Sequence, residues 1–503
     1  MTKKLSVTID IGTTGCRVEL FDTNGTGLER QTAEYPLEVP HSGWAEQDPE
    51  RIYTSLMGCL RKLSLENVGY VVFSSVFHSF IPIDREKRPL GLMWTWADTR
   101  SADQAARLKL EMPGAYARTG CPTHPMYYPA RILWLKKKQP EVFARVYRFV
   151  GIKEYILERW TGAFLVDRSI ASGTGLYNFA DATWDQDLLH YLGLSPEALS
   201  PVMDTEHMLE IPSRSPAAKL GLPVGCKVML GAGDGVFANL GAGGVRKGQV
   251  TATIGTSGAL RILVPEPKID AFERTWCYNL SRDWWVAGGA INNGGLVYRW
   301  VRDQFMSVEA EEAEALGLEH YEMVNRRVLE VAPGANGLIF LPYLTGERSP
   351  RWNADARGVI LGLGLQHSRH HIARAAIEGV AFRMFSVFEV LAEIGGPLDE
   401  IRFSGGALSS LMWQQTMADV FQRTIFVPKH QGTTFGAWIF LQHVLGNLSS
   451  LLEAEQFMEA PVRCEPRREY TELYHELYSI YNETYDQLQK QFSRLAKLQR
   501  DLY

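Results

Sequence analysis

The chain opens on a period of two. In "VTIDIGTTGCRVELFD" (7–22) apolar positions run into an Asp, break at Gly-Thr-Thr-Gly, and then alternate again. That pattern predicts two strands joined by a tight, hydroxyl-rich turn. Half a chain later "VTATIGTSGALRI" (250–262) repeats it, with Gly255 in the place of Gly12. Between and beyond the hairpins the period lengthens. Residues 5–37 predict strand, hairpin and strand edge. A helix is expected over about 49–63, with Asp48 as N-cap and Pro49 at its first position. Two β runs fall in 68–84, and helical patterns at 101–111, 130–138 and 151–160. Segments 225–243 and 402–421 both read strand, glycine turn, helix. The strand and hairpin at 249–263 lead to "WWVAGGAINNGG" (284–295), and a long helical stretch follows to about 330. In the last fifty residues Leu473, Leu477, Tyr481, Leu488, Phe492 and Leu495 recur at three-to-four spacing, which predicts a packing helix.

The two halves thus carry the same logic, and the expectation is an α/β duplication whose halves face each other across a cleft. At 503 residues the chain exceeds one ordinary core. The repeat places the division near 245, giving domains 1–245 and 246–503. A net charge of −5 offers no general pull towards nucleic acid or an anionic membrane. Six cysteines without a C-x-x-C pair argue for free thiols in a reducing compartment rather than a disulfide framework or a zinc site. No signal-like or membrane-spanning apolar stretch is seen, so a cytoplasmic location is expected.

The turn chemistry points to phosphate. Backbone N–H groups of a glycine-rich turn bind phosphate oxygens, and Thr13 and Thr14 add hydroxyls. This is not a Walker loop, since no Gly-Lys-Ser/Thr follows. Glycines serving turn geometry alone would explain one copy equally well. The second copy, with Thr256 and Ser257, favours the phosphate reading. Asp10 before the first turn suits Mg²⁺, and Thr253 replaces it in the second. Asp234, in "LGAGDGVFANLGAG", is a carboxylate at a strand end before a helix; general base and plain N-cap are the competing roles. "TWADTRS" (95–101) would place Trp96, Asp98 and Arg100 on one face of an extended stretch, suited to a polyol; a surface salt bridge beside a core Trp is the alternative. His78 and His124 are lone histidines, which are more often structural. Gly405 and Gly406 in "FSGGALSS" would let a flat base approach.

Together "IDIGTTGCR", "GWAEQDP", "WADTRS", "GAGDG", "TIGTSG", "LPYLTGERSPRWNADARG", "GVILGLGLQHSRHHIARAAIEG" and "GGALSSLMWQQTMAD" resemble the FGGY family of carbohydrate kinases, in family order over nearly the whole chain. One stretch departs: "MYYPARILWL" has Tyr128 and Arg131 where relatives carry Ser or Pro and then Lys. The resemblance implies paired ribonuclease H-like domains, as in actin and hexokinase, with ATP between them. It implies Asp234 as catalytic base and, with Asp10, as Mg²⁺-associated carboxylate. Gly12, Thr13 and Thr14 would form the first phosphate loop, and Gly255, Thr256 and Ser257 the second. Gly405, Gly406 and Ser409 would form the adenosine pocket. Phe77, His78, Trp96, Asp98, Arg100 and His124 would face the substrate with Asp234. Arg100 and Arg131 are the candidate cations for a sugar acid.

"WTWADTRSA", "RTGCPTHPM", "CYNL" and "GGAINNGGLVYRWVRDQF" are most similar to the branch acting on gluconate. ATP-dependent conversion of D-gluconate to 6-phosphogluconate is therefore expected, with xylulose or another polyol as the alternative acceptor. An actin-like ATPase switch or a non-catalytic sugar sensor is the alternative of another class. A small sugar or sugar acid is the expected partner, and a homodimer stays open as an assembly.

Overall fold

A computed structural model describes residues 4–429 and 432–502. By contacts the chain forms two compact units: Met1–Arg246 with Leu263–Ala287 and His430–Met458, and Lys247–Ile262 with Gly288–Lys429 and Glu459–Tyr503.

The first unit is built on a six-stranded sheet in the order Met208–Glu210, Lys227–Gly233, Val68–Ser75, Leu5–Ile11, Gly15–Phe21, Gly27–Glu34. The three inner strands, Lys227–Gly233, Val68–Ser75 and Leu5–Ile11, run parallel, and the hairpin strands follow antiparallel. Val7, Ile9, Ile11, Val71 and Phe73 are fully buried, as expected for strands covered on both faces. The helix Pro49–Leu60 covers the hairpin side. It starts as the sequence predicts, with Asp48 accepting from the Glu50 amide and Pro49 at the first position, and it stops three residues short of the expected end. The helix Thr433–Val444 packs against Asp234–Gly241.

The second unit repeats the frame. Six of the seven strands of its sheet run in the order Trp285–Ile291, Gly258–Val264, Gln249–Ile254, Glu400–Ser404, Ile425–Val427, Val462–Cys464, and Trp276–Asn279 pairs beyond Trp285–Ile291. The duplication extends to register. In the first unit Asp10 lies opposite Ser74 on the parallel neighbour; in the second, Thr253 lies opposite Ser404. The stretch to 330 is three helices, Gly295–Phe305, Ser307–Leu316 and His320–Leu329, because Met306 and Gly317 break the run. The 27-residue helix Arg369–Gly395 packs against Gly295–Phe305 and Leu411–Phe421.

The terminal helix Thr471–Leu502 exists, but its buried stripe is shifted. Tyr474, Leu477, Tyr481, Tyr485, Phe492 and Ala496 are inside, while Leu473 and Leu495 are exposed. Tyrosines take the inner positions because each hydroxyl finds a partner: Tyr474 on Glu378, Tyr481 on Tyr343, and Tyr485 with Asn353. All six cysteines are free thiols, five of them buried. No described helix is long and apolar enough to cross a membrane.

One local irregularity sets the end of the strand Lys227–Gly233. Pairing with Val68–Ser75 slips between Met229 and Ala232, a β-bulge, and Leu230 and Gly231 turn their amides to the carbonyls of His207 and Thr205. Gly231 has φ +66°, and a β-carbon there would run into the carbonyl oxygen of Phe73. Gly231→Ala should therefore destabilise the protein by about 2 kcal/mol or more, from the left-handed backbone alone. Chemical denaturation of the variant checks this; an unchanged midpoint would mean the bulge relaxes freely.

Candidate active site

Parallel strands deliver their side chains at their carboxyl ends, where open α/β sheets bind ligands. Asp10 sits one residue before the end of Leu5–Ile11. Asp234 directly follows Lys227–Gly233 as the first residue of the helix Asp234–Gly241, with Gly233 as N-cap. It is therefore not the capping residue, and no separate turn precedes the helix. Its Oδ1 accepts from the Gly235 amide at 2.6 Å, and the side chain stays partly exposed.

Asp10 is 3 % exposed. Its carboxylate takes Arg17 at 3.2 Å and the Ser74 hydroxyl at 3.4 Å. Burial, and then the charge of Asp234, push its pKa up to about 7 despite Arg17. The two carboxylates are thus close enough to repel.

The turn Gly12–Gly15 is held from three sides. The Tyr35 hydroxyl donates to the Gly12 carbonyl at 2.6 Å and the Gln47 amide to the Thr13 carbonyl at 2.7 Å. The Trp96 indole donates to the Thr13 hydroxyl at 2.9 Å. Trp96 therefore ties the segment 95–101 to the loop. Thr14 is exposed at the tip.

The segment "TWADTRS" is not the extended stretch expected. The Asp98 amide folds back on the Thr95 carbonyl, so Trp96, Asp98 and Arg100 do not alternate on one face. Asp98 is fully buried and accepts from Ala45, and it pairs with Arg100 at 2.5 Å. Arg100 also pairs with Glu46 at 2.6 Å, and its guanidinium lies 3.5 Å and 4.0 Å from the ring centres of Trp44 and Trp94. Arg131, fully buried, donates to the carbonyls of Pro125, His78, Trp94 and Thr95. Both expected cations are thus committed within the wall: Arg100 as a stacked ion pair, Arg131 as a staple joining three other segments. Tyr128 likewise bonds the Ser79 carbonyl at 2.6 Å.

His78 stands at φ +63°, rare for a residue with a side chain. Its Nδ1 lies 2.7 Å from the Gly173 carbonyl, which can only accept, so Nδ1 carries the proton. Its Nε2 lies 3.5 Å from the Tyr278 hydroxyl, and Tyr278 meets the Tyr127 hydroxyl at 2.9 Å. Phe77 packs on Tyr278 with ring centres 4.7 Å apart. Its ring also fills the space that a side chain at Gly233 would occupy, one residue before Asp234. His124 is half-buried, with Nδ1 accepting from the Met126 amide at 3.2 Å, and it lines a small cavity with Cys121 and Tyr127.

In the second unit a cavity of about 380 Å³ is lined by Gly255, Thr256, Gly406 and Ser409 among others. Ser257 and Gly405 do not line it; Gly405 serves the turn, at φ +100°. The amides of Gly295 and Leu296, at the head of Gly295–Phe305, bond the Gly255 and Thr256 carbonyls and fix the second loop. Sequence reasoning missed the aromatic side of this cavity: Tyr298, Tyr321 and Trp413, with Asn325. The Tyr298 hydroxyl donates to Asn325 at 2.6 Å. The spacing of Tyr298 and of Trp413 reads as core-facing helix, so only the fold could show that they also bound a cavity. Tyr127, the N-cap of the helix Tyr128–Lys138, and Tyr278, on the strand Trp276–Asn279, were missed because nothing in their local pattern shows that they meet across 151 residues.

Family models for the FGGY family of carbohydrate kinases match residues 5–241 with the N-terminal domain and 250–443 with the C-terminal domain. The chain belongs to this family. It is 36% identical to a gluconokinase of Bacillus subtilis (strain 168), over 98% of each chain. To a xylulose kinase of the same organism it is 28% identical, over 96% of this chain and 97% of that one. A crystal structure of gluconate kinase from Lactobacillus acidophilus superposes with a TM-score of 0.91 at 31% identity, covering 98% of this chain and 100% of that one. The protein is therefore an ATP-dependent carbohydrate kinase with two actin/hexokinase-type α/β domains, acting on a small sugar or sugar acid.

In this kinase the raised Asp10 has a consequence for stability. A carboxyl whose folded pKa lies above its unfolded value favours folding while protonated, and that contribution fades as pH climbs from about 4 to about 7. Asp10→Asn keeps the neutral form at every pH. Its unfolding midpoint should match that of the wild type near pH 4 and exceed it at pH 8, with activity lost. A lower midpoint at pH 8 would show that the Arg17 pair outweighs burial.

Proposed function

We propose that this kinase transfers the γ-phosphoryl group of ATP to the primary hydroxyl of D-gluconate, giving 6-phosphogluconate. The observation that carries the chemistry is Asp234: a partly exposed carboxylate at the head of a helix, whose charge acts on the buried Asp10, with the Phe77 ring packed against Gly233 just before it. The gluconate assignment rests on the 36% identity to a gluconokinase over almost the full length, against 28% for a xylulose kinase.

In the reaction the sugar hydroxyl oxygen attacks the γ-phosphorus in line, and the bond from phosphorus to the β–γ bridging oxygen breaks. Asp234 accepts the hydroxyl proton and ADP leaves. Asp10 and Asp234 are the residues that would hold Mg²⁺. The like-charge pair fits a divalent cation that takes one or two carboxylates and completes its shell with phosphate oxygens and water. Such an ion supplies neutralisation of phosphate charge. Among the described residues no cluster of three or more metal-ligating side chains forms, which agrees with an ion shared with the nucleotide. The loops at Gly12–Gly15 and Gly255–Ser257 offer backbone donors and the hydroxyls of Thr13, Thr14 and Thr256 to phosphate oxygens. The Tyr298, Tyr321 and Trp413 cavity suits adenosine. Trp96, Asp98, His78 and His124 belong to the sugar side.

With Arg100 and Arg131 engaged in the wall, a sugar carboxylate would be met by neutral donors and by His78 rather than by a free guanidinium. That keeps xylulose as the second reading, since a neutral wall discriminates less sharply between acid and ketose.

Two measurements test this. Asp234→Asn should fold and still bind ATP while kcat falls about 10²- to 10⁴-fold, the usual worth of a general base; near-normal turnover would remove Asp234 from that role. In a coupled assay gluconate should show a higher kcat/KM than xylulose, glycerol or gluconamide. The amide keeps every hydroxyl and removes the charge, so equal efficiency on acid and amide, or a preference for xylulose, would reject gluconate and leave the carbohydrate kinase standing.

A further inference from the structure

The β-bulge before Asp234 leaves a structural problem. Where Leu230 and Gly231 leave register, the regular ladder to Val68–Ser75 is interrupted, and nearby carbonyls need donors inside a closed core. The structure supplies one donor for two of them. Lys153, from the helix Ile152–Thr161, is 2 % exposed, and its ammonium donates to the carbonyls of Leu230 at 3.0 Å and Ala232 at 3.3 Å. Its third contact is the Asp167 carboxylate at 2.6 Å, itself 1 % exposed. The ammonium thus serves two carbonyls of the bulged strand and is neutralised by one buried carboxylate from another segment.

Asp167 extends the device. Its Oδ1 caps the short helix Arg168–Ser172 through the Ile170 amide at 2.9 Å. From that helix the Ser169 hydroxyl accepts from the Gly233 amide at 3.1 Å, the residue directly before Asp234. The Ser172 hydroxyl accepts from the Asn279 amide at 2.9 Å, next to Tyr278. The Gly173 carbonyl that follows fixes the His78 ring. The buried ion pair therefore reaches the strand end just before Asp234 by two routes, directly at Leu230 and Ala232 and through Ser169 at Gly233, and its capped helix touches the segments that carry His78 and Tyr278.

We propose that the Lys153–Asp167 ion pair is a positioning device for Asp234: it clamps the bulge at Leu230–Ala232 and thereby aims the catalytic carboxylate. The proposal rests on Asp234 being the base. Lys153 acts through backbone and not on the substrate, so its loss changes the placement of Asp234 and leaves the nucleotide cavity of the second unit alone. The Coulomb attraction between Lys153 and Asp234 is a smaller second effect in the same direction.

Lys153→Met alone leaves Asp167 buried without its cation and is prone to misfold. The test is therefore the pair Lys153→Met/Asp167→Asn, which removes both charges and keeps an N-cap of equal quality. The double variant should retain a cooperative unfolding transition and its ATP-induced thermal shift. Its kcat should fall roughly 10- to 100-fold, the usual cost of displacing a catalytic group by about 1 Å, with KM for ATP within about 2-fold, since the nucleotide contacts are untouched. The same pair is then introduced into Asp234→Asn. If Lys153 works through Asp234, the further loss there should be under about 2-fold, because the aimed group is gone. Undiminished kcat in the folded double variant would overturn the proposal. So would an equal loss in both backgrounds, which would mark a general structural role. Failure of the base assignment shows separately, as activity retained by Asp234→Asn alone.

Discussion

The first unit carries one unfavourable arrangement: a buried carboxylate, Asp10, held at the end of a parallel strand where burial and the charge of Asp234 both push its pKa up. Asp10 is buried, so its charge is poorly solvated, and its neighbour has the same sign. Nothing in folding rewards this arrangement. Arg17 offsets it only in part, from a side chain that is half exposed. Groups placed against their own stability mark sites where a ligand supplies the missing charge. Much of the nearby architecture serves to hold them there: Tyr35, Gln47 and Trp96 fix the loop beyond Asp10, and the bulge at Leu230–Ala232 sets the backbone before Asp234.

The duplicated frame shows the same site with and without that burden. At the matching register position the second unit carries Thr253 against Ser404, hydroxyls 3.1 Å apart that satisfy each other. No carboxylate is needed there, and the space beyond the strands opens into an aromatic-lined cavity. One unit carries a buried carboxylate at this position, and the other a neutral hydroxyl pair beside a cavity. The shared backbone explains why both turns read as phosphate loops, while the differing residues behind them explain why the turns are not interchangeable.

What the sequence made legible was whatever a short motif can carry. The two hairpins, the N-cap at Asp48, the strand-to-helix passage at Asp234 and the glycine pair at Gly405–Gly406 all appear where local pattern puts them. What it hid was side-chain commitment over distance. "WADTR" looked like an alternating polar face because every second residue was polar. In the fold a turn at Thr95–Asp98 and an ion pair with Glu46, more than fifty residues earlier, consume the Arg100 guanidinium between two tryptophans. Arg131 looked like a free cation standing where relatives have Lys, yet it bonds carbonyls from three other segments. The terminal helix shows the same limit: a leucine repeat and a tyrosine repeat lie on neighbouring stripes, and only the partners on Glu378 and Tyr343 decide which one goes inside.

Those commitments bear on how an acid is recognised. A guanidinium already paired with two carboxylates and stacked between rings cannot be withdrawn for a ligand without leaving Asp98 and Glu46 buried and unpaired, which costs more than one new salt bridge returns. A wall stiffened in this way is better suited to fixed geometry than to strong attraction. His78 illustrates the point. Its tautomer is set by the Gly173 carbonyl, its backbone is held at an uncommon φ, and Tyr278 and Tyr127 line up behind its other nitrogen. On the proposed reading, discrimination among polyols would come from which hydroxyls meet those few oriented groups, and an analogue that leaves one of them unpaired would be rejected more strongly than one that lacks a distant charge.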